Sequence, residues 1–67
     1  MDLIAQVGET AGQVWHLLND DGPQTLAQLK KKVNGSGEIV TFALGWLARE
    51  DKIEIVQDKK GYRVSLK

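Results

Sequence analysis

The sequence predicts an α+β domain in which three helices precede a C-terminal β-hairpin. Three observations predict it. Apolar residues recur at helical spacing in three stretches. Clusters of glycine, asparagine, aspartate and proline separate those stretches. After Asp51 the apolar period falls to two. At 67 residues the chain makes one expected domain over 1–67, and such a domain buries only about 60% of the surface its unfolded form exposes. It has no cysteine and one histidine, so its own side chains supply neither a disulfide nor a structural metal cluster. Stability has to come from packing, and a 42% hydrophobic content with two tryptophans makes that feasible.

The first helix is expected from Asp2 to Asn19. Leu3, Ile4, Val7, Ala11, Val14, Trp15 and Leu18 form one face, with Asp2 as the N-cap. Gln6, Glu9, Gln13 and His16 fall opposite, and Asn19-Asp20-Asp21-Gly22-Pro23 ends the helix. Thr25-Leu26-Ala27-Gln28 has the capping-box pattern that opens a second helix. Its buried stripe is Leu26, Leu29 and Val33, and Lys30, Lys31 and Lys32 lie at the end where cations offset the helix dipole. A short extended stretch between Pro23 and Thr25 is available to pair with a later strand.

Asn34-Gly35-Ser36-Gly37 is a tight break before a third helix running to about Glu50. There Ile39, Phe42, Ala43, Trp46 and Leu47 repeat at i, i+3, i+4, i+7 and i+8, so they are the expected core face. The outward face is then Glu38, Thr41, Gly45, Ala48 and Arg49, with Val40 and Leu44 at its edge. Two helices joined by a short glycine-bearing turn make a helix-turn-helix unit. In the hairpin, a loop at Asp58-Lys59-Lys60-Gly61 sets Ile55 opposite Val64 and Ile53 opposite Leu66. A one-residue slip would pair the isoleucines with Ser65 and Lys67, so burial selects the first register. Tyr62 then turns toward the core side.

The order helix, helix, tight turn, helix, hairpin resembles the winged helix-turn-helix superfamily, with the hairpin as the wing. The run Phe42-Ala43-Leu44-Gly45-Trp46-Leu47-Ala48-Arg49-Glu50-Asp51-Lys52-Ile53 resembles a small stand-alone winged helix-turn-helix family of bacteria and archaea. Gly8-Glu9-Thr10-Ala11-Gly12-Gln13-Val14-Trp15 is similar to that family's first helix. The resemblance covers nearly the whole chain. It implies the fold and a prokaryotic origin for a domain of unknown function, and it brings no catalytic residues to carry over.

Catalysis is not expected. A metal site needs several converging ligands, and His16 stands alone on a polar face. No serine or threonine has the base and orienting partner that a nucleophile requires. Gly35-Ser36-Gly37 lacks the phosphate-loop pattern and is a turn. No cofactor, metal or small-molecule ligand is therefore expected. No apolar run approaches the roughly 20 residues that span a bilayer, and the start of the chain lacks a signal-peptide pattern. Lack of cysteine fits a reducing compartment, so a soluble cytoplasmic regulatory or adaptor protein is expected.

Two partners compete. Formal net charge is zero, but residues 1–29 sum to −4 and residues 30–67 to +4. That asymmetry fits a nucleic-acid face or head-to-tail association. Weak DNA binding through phosphates is the leading expectation, carried by Lys59, Lys60 and Arg63 of the wing with Thr41 and Arg49 of the third helix. Base readout calls for Arg, Lys, Asn or Gln on the outward helix face, and only Thr41 there is a versatile reader. The alternative is association with protein, either a second copy or another chain, through Val40, Thr41, Leu44, Gly45 and Ala48. Glycine inside a helix costs roughly 1 kcal/mol relative to alanine. Packing within the chain is the simpler account of Gly8 and Gly12, but Gly45 points away from the predicted core stripe.

Overall fold

A computed structural model describes residues 2–67, and Met1 lies outside the described residues. The chain runs α1 (Leu3–Asp21), β1 (Gln24–Thr25), α2 (Leu26–Lys32), α3 (Gly37–Arg49), β2 (Ile53–Asp58) and β3 (Gly61–Leu66). This is the predicted α+β order with a third, two-residue strand. No helix among the described residues is long and apolar enough to cross a membrane.

Local chemistry explains where each helix starts and stops. Asp2 Oδ1 accepts from the Ile4 amide at 3.0 Å, filling one of the orphan donors of the first turn. The helix runs past Asn19 through Asp20 and Asp21, and stops where Gly22 takes φ +80°. The Gln28 amide donates to Thr25 Oγ1 at 3.1 Å and the Thr25 amide to Gln28 Oε1 at 2.9 Å, which completes the capping box. A cap of this kind contributes about 1 kcal/mol, a large share for the seven residues of α2, which are too few to hold a helix alone. Ser36 Oγ caps α3 by accepting from the Ile39 amide at 3.2 Å.

The end of α3 aims the wing. Lys52 N–H donates to Leu47 O and Asp51 N–H to Ala48 O, both at 3.0 Å, the two bonds of a Schellman close. Asp51 takes the left-handed conformation at φ 62°, where glycine is usual. Its carboxylate also holds Lys67. That hydrogen bond and the negative charge raise the Lys67 amine above its ordinary pKa.

The sheet is antiparallel in the order β1-β3-β2. Ile53 pairs with Leu66 and Ile55 with Val64, the register that burial selects. Gln24 pairs with Val64, so the stretch after Pro23 does join a later strand. The wing turn is tighter than a four-residue loop: Asp58 pairs with Gly61, leaving Lys59 and Lys60 as the turn. Asp58 Oδ1 accepts from the Lys60 amide at 2.8 Å, and the positive φ falls on Gly61.

The core lies between α1, α3 and the inner face of the sheet, with α2 closing one side. Val14 and Leu18 meet Leu29, Val40, Ala43, Leu47, Ile53 and Val64 there. Three expectations need correction. Leu3 and Ile4, in the first turn of α1, are exposed. Leu26 is half-buried, leaving Leu29 and Val33 as the buried residues of its stripe. The third correction matters most. The buried face of α3 is Ile39, Val40, Ala43, Leu44 and Leu47, while Phe42 is 52% and Trp46 38% accessible. At 100° per residue the helix is turned about 60° from the predicted orientation. The sheet and α2 press on the Val40–Leu44 side and bury aliphatics there, which displaces the two aromatics toward solvent. Trp46 still lies over α1, with its ring 3.8 Å from where a side chain on Gly8 would begin.

Candidate interaction surfaces

The turn of α3 changes which predicted residues are available. Val40 and Leu44, expected at the edge of an outward face, are core residues at 0% and 5% accessibility. Thr41, Gly45 and Ala48 are exposed as expected. Among the described residues no heavy atom outside its own helix backbone and chain neighbours lies within 4 Å of a side chain built on Gly45, so their packing does not account for that glycine. The same holds for Gly12, against expectation, whereas Gly8 does meet Trp46.

The exposed strip of α3 meets a hairpin that is more apolar than expected. Ile55 and Tyr62 share the inner face of the wing with Ile53 and Val64 but lie past the end of the core, and they remain 40% and 45% accessible. With Thr41, Leu44 and Gly45 they line an open apolar groove between α3 and the wing. No charged side chain lines it. The alternation of the strands identified the face; it did not carry the information that the core ends before the strands do.

The predicted nucleic-acid residues fall into separate places. Lys59 and Lys60 occupy the exposed wing turn, and Arg63 stands exposed on β3. Lys60 and Arg63 share a shallow groove with Lys30 of α2, and Asp58 on its rim offsets part of that charge. Lys32 is committed locally, donating to Gln24 Oε1 at 2.9 Å beside Asp21 at 3.9 Å. Arg49 is exposed at the last position of α3. Thr41, the expected reader of bases, uses its hydroxyl within its own helix by donating to Gly37 O at 2.9 Å. The exposed positions of α3 are thus Glu38, Thr41, Phe42, Gly45, Trp46, Ala48 and Arg49. Only Arg49 carries a group suited to bidentate contact with a base edge.

Among the described residues no cluster of three or more His, Cys, Asp or Glu side chains is placed to hold a metal. His16 is exposed and lies edge-to-face on Trp15, with ring centroids 5.4 Å apart.

Comparison with known proteins adds to this geometry. The chain is similar to an uncharacterized protein of Methanocaldococcus jannaschii, MJ1608, at 44% identity over 69 residues, covering 98% of this chain and 97% of that one. Its fold is similar to the solution NMR structure of protein BT2368 from Bacteroides thetaiotaomicron, with a TM-score of 0.81 and 39% identity, covering 92% of this chain and 76% of that chain. The description "Winged helix-turn-helix domain (DUF2582)" matches residues 1–66. From the capped helices through the paired wing to this match, the chain belongs to the DUF2582 family of winged helix-turn-helix domains.

Proposed function

We propose that the domain is a non-catalytic protein-association module whose α3–wing face docks against a second copy of itself. The observation that carries this reading is the uncharged groove of Thr41, Leu44, Gly45, Ile55 and Tyr62, which stands where winged helices present side chains to a DNA groove. DNA offers a wall of phosphates, and an apolar, donor-poor face gains nothing from it. A protein surface of similar character gains by excluding water from both sides. Gly45 fits the same account, because a glycine without neighbours lets a second backbone approach closely.

Sedimentation equilibrium of the wild type beside Gly45→Arg tests the proposal. The variant places a long cation in the groove without touching the core. The expected result is a concentration-dependent dimer for the wild type and an association weakened at least about tenfold in the variant, as for a misplaced charge in an apolar contact. A wild type that remains monomeric at high concentration overturns it.

A second reading rests on Lys30, Lys60 and Arg63 meeting at one groove. Such a cluster supports salt-sensitive phosphate contact without sequence preference. It adjoins the apolar groove, with Leu26 and Tyr62 lining both.

A further inference from the structure

β2 is an edge strand, with β3 on one side and no strand on the other among the described residues. Hydrogen bonds in an antiparallel ladder alternate. Lys67 N–H donates to Lys52 O at 3.1 Å, so Lys52, Glu54, Val56 and Asp58 direct their backbone groups at β3. Ile53, Ile55 and Gln57 direct theirs away, into the open. Ile55 and Val56 are 40% and 50% accessible. A long apolar edge is a template for pairing with another chain unless something blocks it. Among the described residues no proline, bulge or covering segment does so, and the exposed charges of Glu54 and Asp58 restrict which register can pair.

We propose that β2 pairs antiparallel with β2 of a second copy, centred on Ile55, to join the two sheets into one. This rests on the self-association reading above and specifies how the copies meet. A two-fold axis perpendicular to the sheet keeps cross-strand partners on the same face, which restricts the centre to a residue and excludes half-steps. Only the centres Ile55 and Val56 pair more than three residues of β2 (Ile53–Asp58), and charge then separates them. With Ile55 opposite Ile55 of the second copy, Lys52 lies opposite Asp58 and Asp58 opposite Lys52, so both ends are attractive. Centring on Val56 sets Glu54 against Asp58 twice, and centring on Glu54 sets Glu54 against itself. Like charges directly opposite are destabilising. The Ile55 register also pairs the outward-directed groups correctly, Ile53 with Gln57 and Ile55 with Ile55. The same axis keeps both copies of α3 on one face of the joined sheet, with the apolar grooves flanking the Ile55 pair.

The chain has no cysteine, so introduced cysteines report on this register alone. Single variants Glu54→Cys, Ile55→Cys and Val56→Cys of the whole chain are oxidised and the covalent dimer is measured. In the proposed register the Cα atoms at Ile55 stand about 5.5 Å apart, within disulfide reach. Those at Val56, or at Glu54, stand about 8 Å apart and beyond it. Ile55→Cys is expected to cross-link, the other two to do so poorly alone, and an equal mixture of Glu54→Cys and Val56→Cys to give the mixed dimer by mass. In parallel, Lys52→Glu is expected to weaken association about tenfold, and Lys52→Glu/Asp58→Lys to recover it. A dimer that cross-links best at Val56, or not at all along β2, overturns this register and leaves self-association standing. A monomeric chain in sedimentation overturns both.

Discussion

Leu29→Ala is expected to remove a large share of the chain's stability in water at 25 °C. Leu29 is completely inaccessible and is the only fully buried side chain of α2. It joins that short helix to the cluster built by α1, α3 and β3. Truncating a buried leucine costs about 2–5 kcal/mol, with the upper part of the range where the site cannot collapse. The domain has little to lose: at about 0.05–0.15 kcal/mol per residue a chain this size holds only roughly 3–10 kcal/mol. No disulfide sets a floor. Urea unfolding followed by the fluorescence of Trp15 and Trp46 measures the effect. A variant with a wild-type midpoint would show that α2 is not anchored through this residue.

The second expected result separates two orientations of α3. Leu44→Ala, at 5% accessibility, is expected to cost about 2–5 kcal/mol. Phe42→Ala, at 52%, is expected to cost about 1 kcal/mol, because about half of the residue is already in water. The sequence pattern alone predicts the reverse order, with Phe42 in the core and Leu44 at the rim. Both variants belong in one urea series at low protein concentration, where self-association adds nothing to apparent stability. A larger loss for Phe42→Ala than for Leu44→Ala would restore the predicted face and remove the apolar groove with it.

The contrast shows which parts of the molecule were legible in the sequence. Caps and registers were, since each depends on a few neighbouring residues. Asp2, the Thr25–Gln28 box and the Ile55–Val64 register all stand where local chemistry sets them. The rotation of α3 was not. That helix carries two overlapping apolar stripes, Phe42 with Trp46 and Val40 with Leu44, and periodicity cannot rank them. Their order is decided by which neighbours press on the helix, a tertiary property. Likewise the alternation in β2 and β3 marked an inner face without showing that Ile55 and Tyr62 extend past the core. The cations of α2 and the wing were legible as residues, but their partition was not: Lys32 turns to Gln24, while Lys30 joins Lys60 and Arg63.

The claim on which the functional account depends is that the α3–wing face meets protein. Amide NMR of the 15N-labelled chain tests it most directly, first across a dilution series and then with random-sequence duplex DNA at physiological salt. The account predicts concentration-dependent shifts gathered at Thr41, Gly45, Ala48 and residues 53–58, with the α3 amides unmoved by the duplex. Shifts independent of concentration, together with duplex-induced movement of those α3 amides, would contradict it.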